Sequence, residues 1–251
     1  MAQTIATTGK GGTGKTTFAA LTIRYLVKRK IKAILALDAD PNSNLNEALG
    51  LDVIKTIADI LESTKDANAI PAGMTKQMFI EYMLSQSITE TKHIDLLVMG
   101  GPQGPGCYCY ANDILKANME KLTENYEFIV IDNEAGLEHI SRGTVKKVEH
   151  LFIISDSSIR GIRSAKRIMQ LVEMLKNQVD NVYLVITKVE NEQQLIALEP
   201  EIIKTGLHFI GYIPFDEMLV DFDVRGKPLF DLPDDSKAVL AVEEILKKVL
   251  S

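Results

Sequence analysis

The segment GKGGTGKTT, from Gly9 to Thr17, carries the clearest chemistry in the chain. It satisfies G-x-x-x-x-G-K-[ST], with an apolar strand pattern before it and a helical pattern after it. Gly9, Gly11, Gly12 and Gly14 let the backbone curl until its N–H groups converge on phosphate oxygens. A helix beginning there adds the positive end of its dipole. In that setting Lys15 neutralises the β- and γ-phosphates of a nucleotide and the Thr16 hydroxyl ligates Mg²⁺, with Thr13 and Thr17 completing the cradle. A glycine-rich turn with a chance lysine is the plain alternative, and a match of this length in the right context argues against it. Lys10 occupies a position the pattern leaves free, so by itself it reads as an exposed loop lysine.

Two further carboxylate segments bear on the same chemistry. A second apolar run ends in DADPNSN, from Asp38 to Asn44. Ligands sit at strand ends in sheets of this kind. Asp40, held extended before Pro41, either orients an attacking water or joins Ser43 in capping the next helix. Asp38 is placed to help organise Mg²⁺. The run FIVIDNEAG closes a hydrophobic strand on Asp132, the form expected of a carboxylate that holds Mg²⁺ directly or through water.

A third constellation is GPQGPGCYCYAND, from Gly101 to Asp113, which contains both cysteines of the chain, Cys107 and Cys109. Two thiols one residue apart do not make a disulfide framework. As thiolates they can bind one soft or borderline metal ion but leave a tetrahedral site half filled. A twofold dimer would bring four such sulfurs to its axis and complete a Cys₄ site. The flanking glycines and prolines suggest an exposed loop. The alternative is incidental cysteine acting as a small apolar side chain. None of His93, His139, His150 and His208 is read as a metal ligand, and His139 is read as structural rather than as a sensor of nucleotide state.

The elements that must position these residues alternate from end to end. Apolar, β-branched runs predict strands at 4–8, 33–38, 94–99, 128–132, 151–155, 182–187 and 209–213, with helical patterns between them, among them 15–28, 162–176 and 236–250. Continuous apolar runs such as FIVID and LFIIS suit strands buried on both faces. The expected fold is α/β: a doubly wound, mainly parallel sheet with helices on both faces. No repeat or linker divides residues 1–251, so one domain is expected. The last segment, PDDSKAVLAVEEILKKVL, makes a weak membrane face and is expected to pack on the sheet.

With 28 Lys+Arg against 34 Asp+Glu, the net charge of −6 argues against a broad nucleic-acid surface. Arg160, Arg163, Lys166 and Arg167 read as a solvated helix face. No apolar stretch approaches the ~20 residues needed to span a bilayer, and no secretory signal is visible, so neither a membrane nor nucleic acid is expected as partner and the location is taken as cytoplasmic.

Together these motifs resemble a family. The K-G-G-x-G-K-T form, with Lys10 before the glycine pair, is similar to the deviant Walker A motif of P-loop ATPases related to MinD, ParA and nitrogenase iron protein. That resemblance implies a nucleotide-sandwich homodimer in which Lys10 crosses to the partner's nucleotide. It also implies that Asp40 contacts the attacking water and that the Gly136 N–H approaches the γ-phosphate, with D-N-E-A-G placing Ala135 and Gly136 in the D-x-x-A-G form of relatives' second switch. VITK, ending at Lys188, and YIPFD, around Pro214, stand where relatives contact adenine, with Thr187 where many have asparagine. The G-C-Y-C-Y loop, DNEAGLEHISRGT and SDSSIRGIRSAKR narrow the resemblance to the CooC/AcsF-type nickel-insertion ATPases. It implies ATP hydrolysis to ADP, a Ni²⁺ (or Zn²⁺) site that Cys107 and Cys109 share across the dimer, and carbon monoxide dehydrogenase or acetyl-CoA synthase as client enzyme. A positioning ATPase of the MinD/ParA kind and an iron–sulfur scaffold or carrier of the same fold are the rivals.

Overall fold

Side chains alternate across a strand, and the strands here use both faces. In β1 (Gln3–Gly9), Ile5 enters one apolar cluster and Ala6 the other. The same division recurs in β2 (Ile34–Ala39), where Ala36 and Leu37 part company. Such strands must be covered on both sides, which explains their near-continuous apolar sequences. The structure, a computed structural model, describes residues 2–66, 69–101, 117–134, 136, 147–175 and 178–250.

Among the described residues the strands are β1, β2, β3 (Thr89–Glu90), β4 (Asp95–Val98), β5 (Phe128–Asn133), β6 (Val148–Asp156), β7 (Val179–Val189) and β8 (His208–Pro214). They form one eight-stranded sheet in the order β3-β4-β2-β5-β1-β6-β7-β8. All pairings are parallel except that of β3 with β4. The seven predicted strands are present. The short edge strand β3 is additional, and its two residues carry no apolar run that would mark it.

Helices cover both faces. On one lie α1 (Lys15–Lys28), α2 (Leu45–Leu49) and, after α7 (Glu217–Val224), α8 (Lys237–Val249). On the other lie α3 (Ile57–Ser63), α4 (Lys76–Ser87), α5 (Ile159–Met174) and α6 (Glu192–Thr205). Local signals explain their starts: Thr56 and Asp59 form a reciprocal capping box on α3, and Ser158, Asn191 and Ser236 cap α5, α6 and α8. As expected, α8 buries its apolar side, Ala238, Val239, Val242, Ile245 and Leu246, against the sheet. Arg160, Arg163, Lys166 and Arg167 line the exposed side of α5, where Arg163 meets Glu201 at 3.4 Å. The chain leaves β1 at the centre of the sheet, with β5 on one side and β6 on the other. Parallel sheets place their ligands at such a point.

Candidate nucleotide site

The loop from β1 to α1 is shaped by glycine where nothing larger fits. A Cβ on Gly9 would lie 2.1 Å from the Ile154 carbonyl oxygen of β6. Gly12 and Gly14 hold φ of 75° and 90°, the left-handed region in which glycine carries no steric penalty. Gly14 is the N-cap of α1, and no side chain caps that helix end. Its leading N–H groups are therefore left for a ligand.

Lys15, the first residue of α1, is only 7% exposed, and among the described residues its ammonium makes no hydrogen bond, although the Asp132 carboxylate attracts it. A buried ammonium with free donors is costly, and a phosphate anion supplies the acceptors it lacks. Lys10 is exposed, as are Gly11 and Gly12, whereas Thr13 is fully buried and its hydroxyl donates to the Lys10 carbonyl at 2.8 Å. Thr16 and Thr17 are half-buried in the first turn of α1.

Opposite α1, strand register gathers the polar groups. Thr7 pairs with Asp132 across β1 and β5, and Asp132 pairs with Asp38 across β5 and β2. All three lie on the face of the sheet that α1 covers, because Ile5, Val130 and Ala36, two residues earlier in each strand, belong to that cluster. Thr7 Oγ1 donates to Asp132 Oδ1 at 3.0 Å and Thr16 Oγ1 donates to Asp132 Oδ2 at 2.5 Å. Asp38 accepts from the backbone N–H groups of Asp40 and Leu45 at 3.1 and 3.0 Å, so it also braces the loop after β2. Asp40, at the mouth, accepts from the Asn42 N–H at 2.9 Å. Its carboxylate thus caps a local turn rather than α2, whose N-cap is Asn44.

Burial pushes the Asp38 carboxyl up to about 7, with the neighbouring Asp132 adding to the shift. Burial also raises Asp132, against the lowering effect of Thr16, Thr7 and Lys15. Two carboxylates that resist ionisation side by side, with a hydroxyl between them and the phosphate loop, are suited to a divalent cation. Among the described residues no group of three or more His, Cys, Asp or Glu is arranged to hold a metal. Mg²⁺ needs no such group, since phosphate and water supply most of its ligands.

Other expected residues stand differently. The Gly136 N–H donates to the Glu134 carbonyl at 2.7 Å, and the Gly136 carbonyl accepts from Thr8 Oγ1 at 2.9 Å. For that N–H to meet a γ-phosphate the turn must open. Lys188 Nζ lies 2.8 Å from the Gly12 carbonyl oxygen, directed at the phosphate loop. Pro214 ends β8 beside Val189, on the same rim. Cys107, Cys109, Tyr108, Tyr110, Ala135 and His139 lie outside the described residues. Thr7, which no motif marks, enters the site through its hydroxyl. Its signal in the sequence is the strand alternation two residues before Gly9.

Residues 4–229 match the CobQ/CobB/MinD/ParA nucleotide binding domain family. An uncharacterized ATP-binding protein of Methanocaldococcus jannaschii is 43% identical over 98% of this chain and 98% of its own length. The carbon monoxide dehydrogenase accessory protein CooC of Rhodospirillum rubrum is 28% identical over 91% of this chain and 89% of its own. Among solved structures, the septum site-determining protein MinD of Pyrococcus horikoshii, complexed with Mg-ADP, superposes with a TM-score of 0.70 at 21% identity, over 99% of this chain and 96% of that one. The fold is thus that of known P-loop ATPases, and the chain belongs to the CobQ/CobB/MinD/ParA nucleotide binding domain family as an ATPase of the MinD/ParA type.

Proposed function

We propose that this ATPase drives nickel insertion into an enzyme of the carbon monoxide dehydrogenase/acetyl-CoA synthase system. The observation that carries the reading is the C-x-C pair, Cys107 and Cys109, in a chain 28% identical to CooC along nearly its whole length. The nucleotide site supplies the energy source. In this proposal Lys15 holds the β- and γ-phosphates, while Thr16 and Asp132, with Asp38 behind them, hold Mg²⁺. Mg²⁺ held by these residues would offset the charge that develops on phosphoryl transfer. Asp40, at the mouth, orients the attacking water. Lys10, exposed at the tip of the loop, reaches the nucleotide of a second protomer.

Closing two protomers on ATP brings their cysteine pairs together, and hydrolysis separates them. Metal moves only if its affinity differs between the two states. A positioning ATPase that docks on a membrane through its last helix is less favoured, since the apolar side of α8 is buried. The test is activation of a nickel-free client under anaerobic, reducing conditions with limiting Ni²⁺. Activation is expected to require this protein with hydrolysable MgATP and to be lost in Cys107→Ala/Cys109→Ala. Equal activation by Ni²⁺ alone, or by the double variant, would sink the proposal.

A further inference from the structure

The junction between β7 and α6 grips the phosphate loop through two consecutive side chains. Along the β7–β8 ladder, Ile186 pairs with Tyr212 and the next pair is Val189 with Pro214. Three steps on β7 thus oppose two on β8, which makes Thr187 and Lys188 a β-bulge. A bulge re-aims the side chains it carries. Lys188 also adopts φ 58°, a left-handed conformation uncommon for a residue with a Cβ.

Both re-aimed side chains end on the phosphate loop. Thr187 Oγ1 lies 2.7 Å from the Thr13 carbonyl oxygen, and Lys188 Nζ lies 2.8 Å from that of Gly12. The Lys188 carbonyl in turn accepts from Ser157 Oγ at 3.0 Å, just before the start of α5. The C=O and N–H of a trans peptide point in opposite directions. Drawing the Gly12 and Thr13 carbonyls toward β7 therefore turns the N–H groups of Thr13 and Gly14 the other way. The Thr13 N–H keeps only a 3.3 Å contact with the Lys10 carbonyl.

From this geometry we infer that Thr187 and Lys188 form a two-point clamp that sets the peptide planes of the phosphate loop, so that Lys188 is a positioning residue for phosphate and not a reader of the base. The inference rests on the nucleotide site being used as assigned above. It explains why the bulge and the left-handed lysine fall together, beside the loop they hold. It also separates two roles that lie within a few residues of each other, since a clamp on carbonyls acts on any polyphosphate whatever base it carries.

The experiment compares the affinity of MgATP with that of Mg²⁺–tripolyphosphate, which has no base, for the full chain and for Lys188→Met, Lys188→Arg and Thr187→Val. Lys188→Met is expected to weaken both ligands by the same factor, about fivefold, as for loss of one charge-assisted hydrogen bond near the surface. Lys188→Arg is expected to recover part of that loss, and Thr187→Val, which keeps the shape, to weaken both again. In turnover the KM for ATP should rise more than kcat falls. The thermal midpoint of nucleotide-free Lys188→Met should stay that of the parent, since the side chain is exposed. Loss of MgATP affinity alone would make Lys188 a base contact and overturn the clamp. Unchanged affinity for both ligands in Lys188→Met and Thr187→Val would do the same. A parent chain that binds neither ligand would instead refute the nucleotide site itself.

Discussion

Lys15→Ala is expected to lower ATP turnover by roughly 10²–10³-fold, the scale seen when one preorganised electrostatic group is removed from a transition state. Lys15 is buried and its ammonium makes no hydrogen bond among the described residues, so its donors are left for the ligand. Alanine removes both the charge and the reach. Arginine is not expected to restore activity, because a planar guanidinium cannot take the place of a compact ammonium in a buried loop. The nucleotide-free variant is expected to stay folded, since the Lys15 ammonium makes no hydrogen bond among the described residues. Single-turnover hydrolysis and a nucleotide-free melting curve, measured together, check both halves. A Lys15→Ala variant that turns over ATP like the parent would refute the assignment.

Asp132→Asn is expected to separate stability from function even more clearly. The substitution keeps the shape of the side chain and one acceptor oxygen for Thr7 or Thr16. It removes a charge that burial already opposes. The nucleotide-free variant should therefore be at least as stable as the parent. Mg²⁺-dependent hydrolysis should fall by about 10²-fold or more, because the proposed Mg²⁺ site loses the carboxylate charge beside Thr16. Titrating Mg²⁺ against turnover checks this: the variant should need far more Mg²⁺ for half-maximal rate. A parent-like Mg²⁺ dependence would place the cation elsewhere.

The parts of this site that were legible in the sequence are those made by contiguous residues. Gly9 to Thr17 form the cradle within one turn of chain, so their spacing alone specifies it. Asp132 is legible as the end of an apolar strand. The row Thr7–Asp132–Asp38 is not, because it depends on β5 lying between β1 and β2, a matter of strand order that no local pattern records. The Thr187–Lys188 clamp is hidden for the same reason, since a bulge is a property of two strands. Lys188 stands where the resemblance implies a contact with adenine, and its side chain lies 2.8 Å from the Gly12 carbonyl oxygen of the phosphate loop. Predicted strands 151–155 and 182–187 stop short of β6 and β7, which begin at Val148 and Val179. There His150 pairs with Asn181 and Val148 with Val179, so cross-strand pairing extends both strands beyond their apolar runs.

The central claim, that nucleotide state governs a metal site made by two protomers, is tested most directly by Ni²⁺ binding. Stoichiometry would be measured anaerobically in reductant, without nucleotide, with MgADP and with MgATP, for the parent and for Cys107→Ala/Cys109→Ala. One tightly held ion per two chains is expected, with an affinity that differs between MgADP and MgATP, and no such ion in the double variant. Binding that is indifferent to the cysteines, or no binding in any nucleotide state, would contradict it.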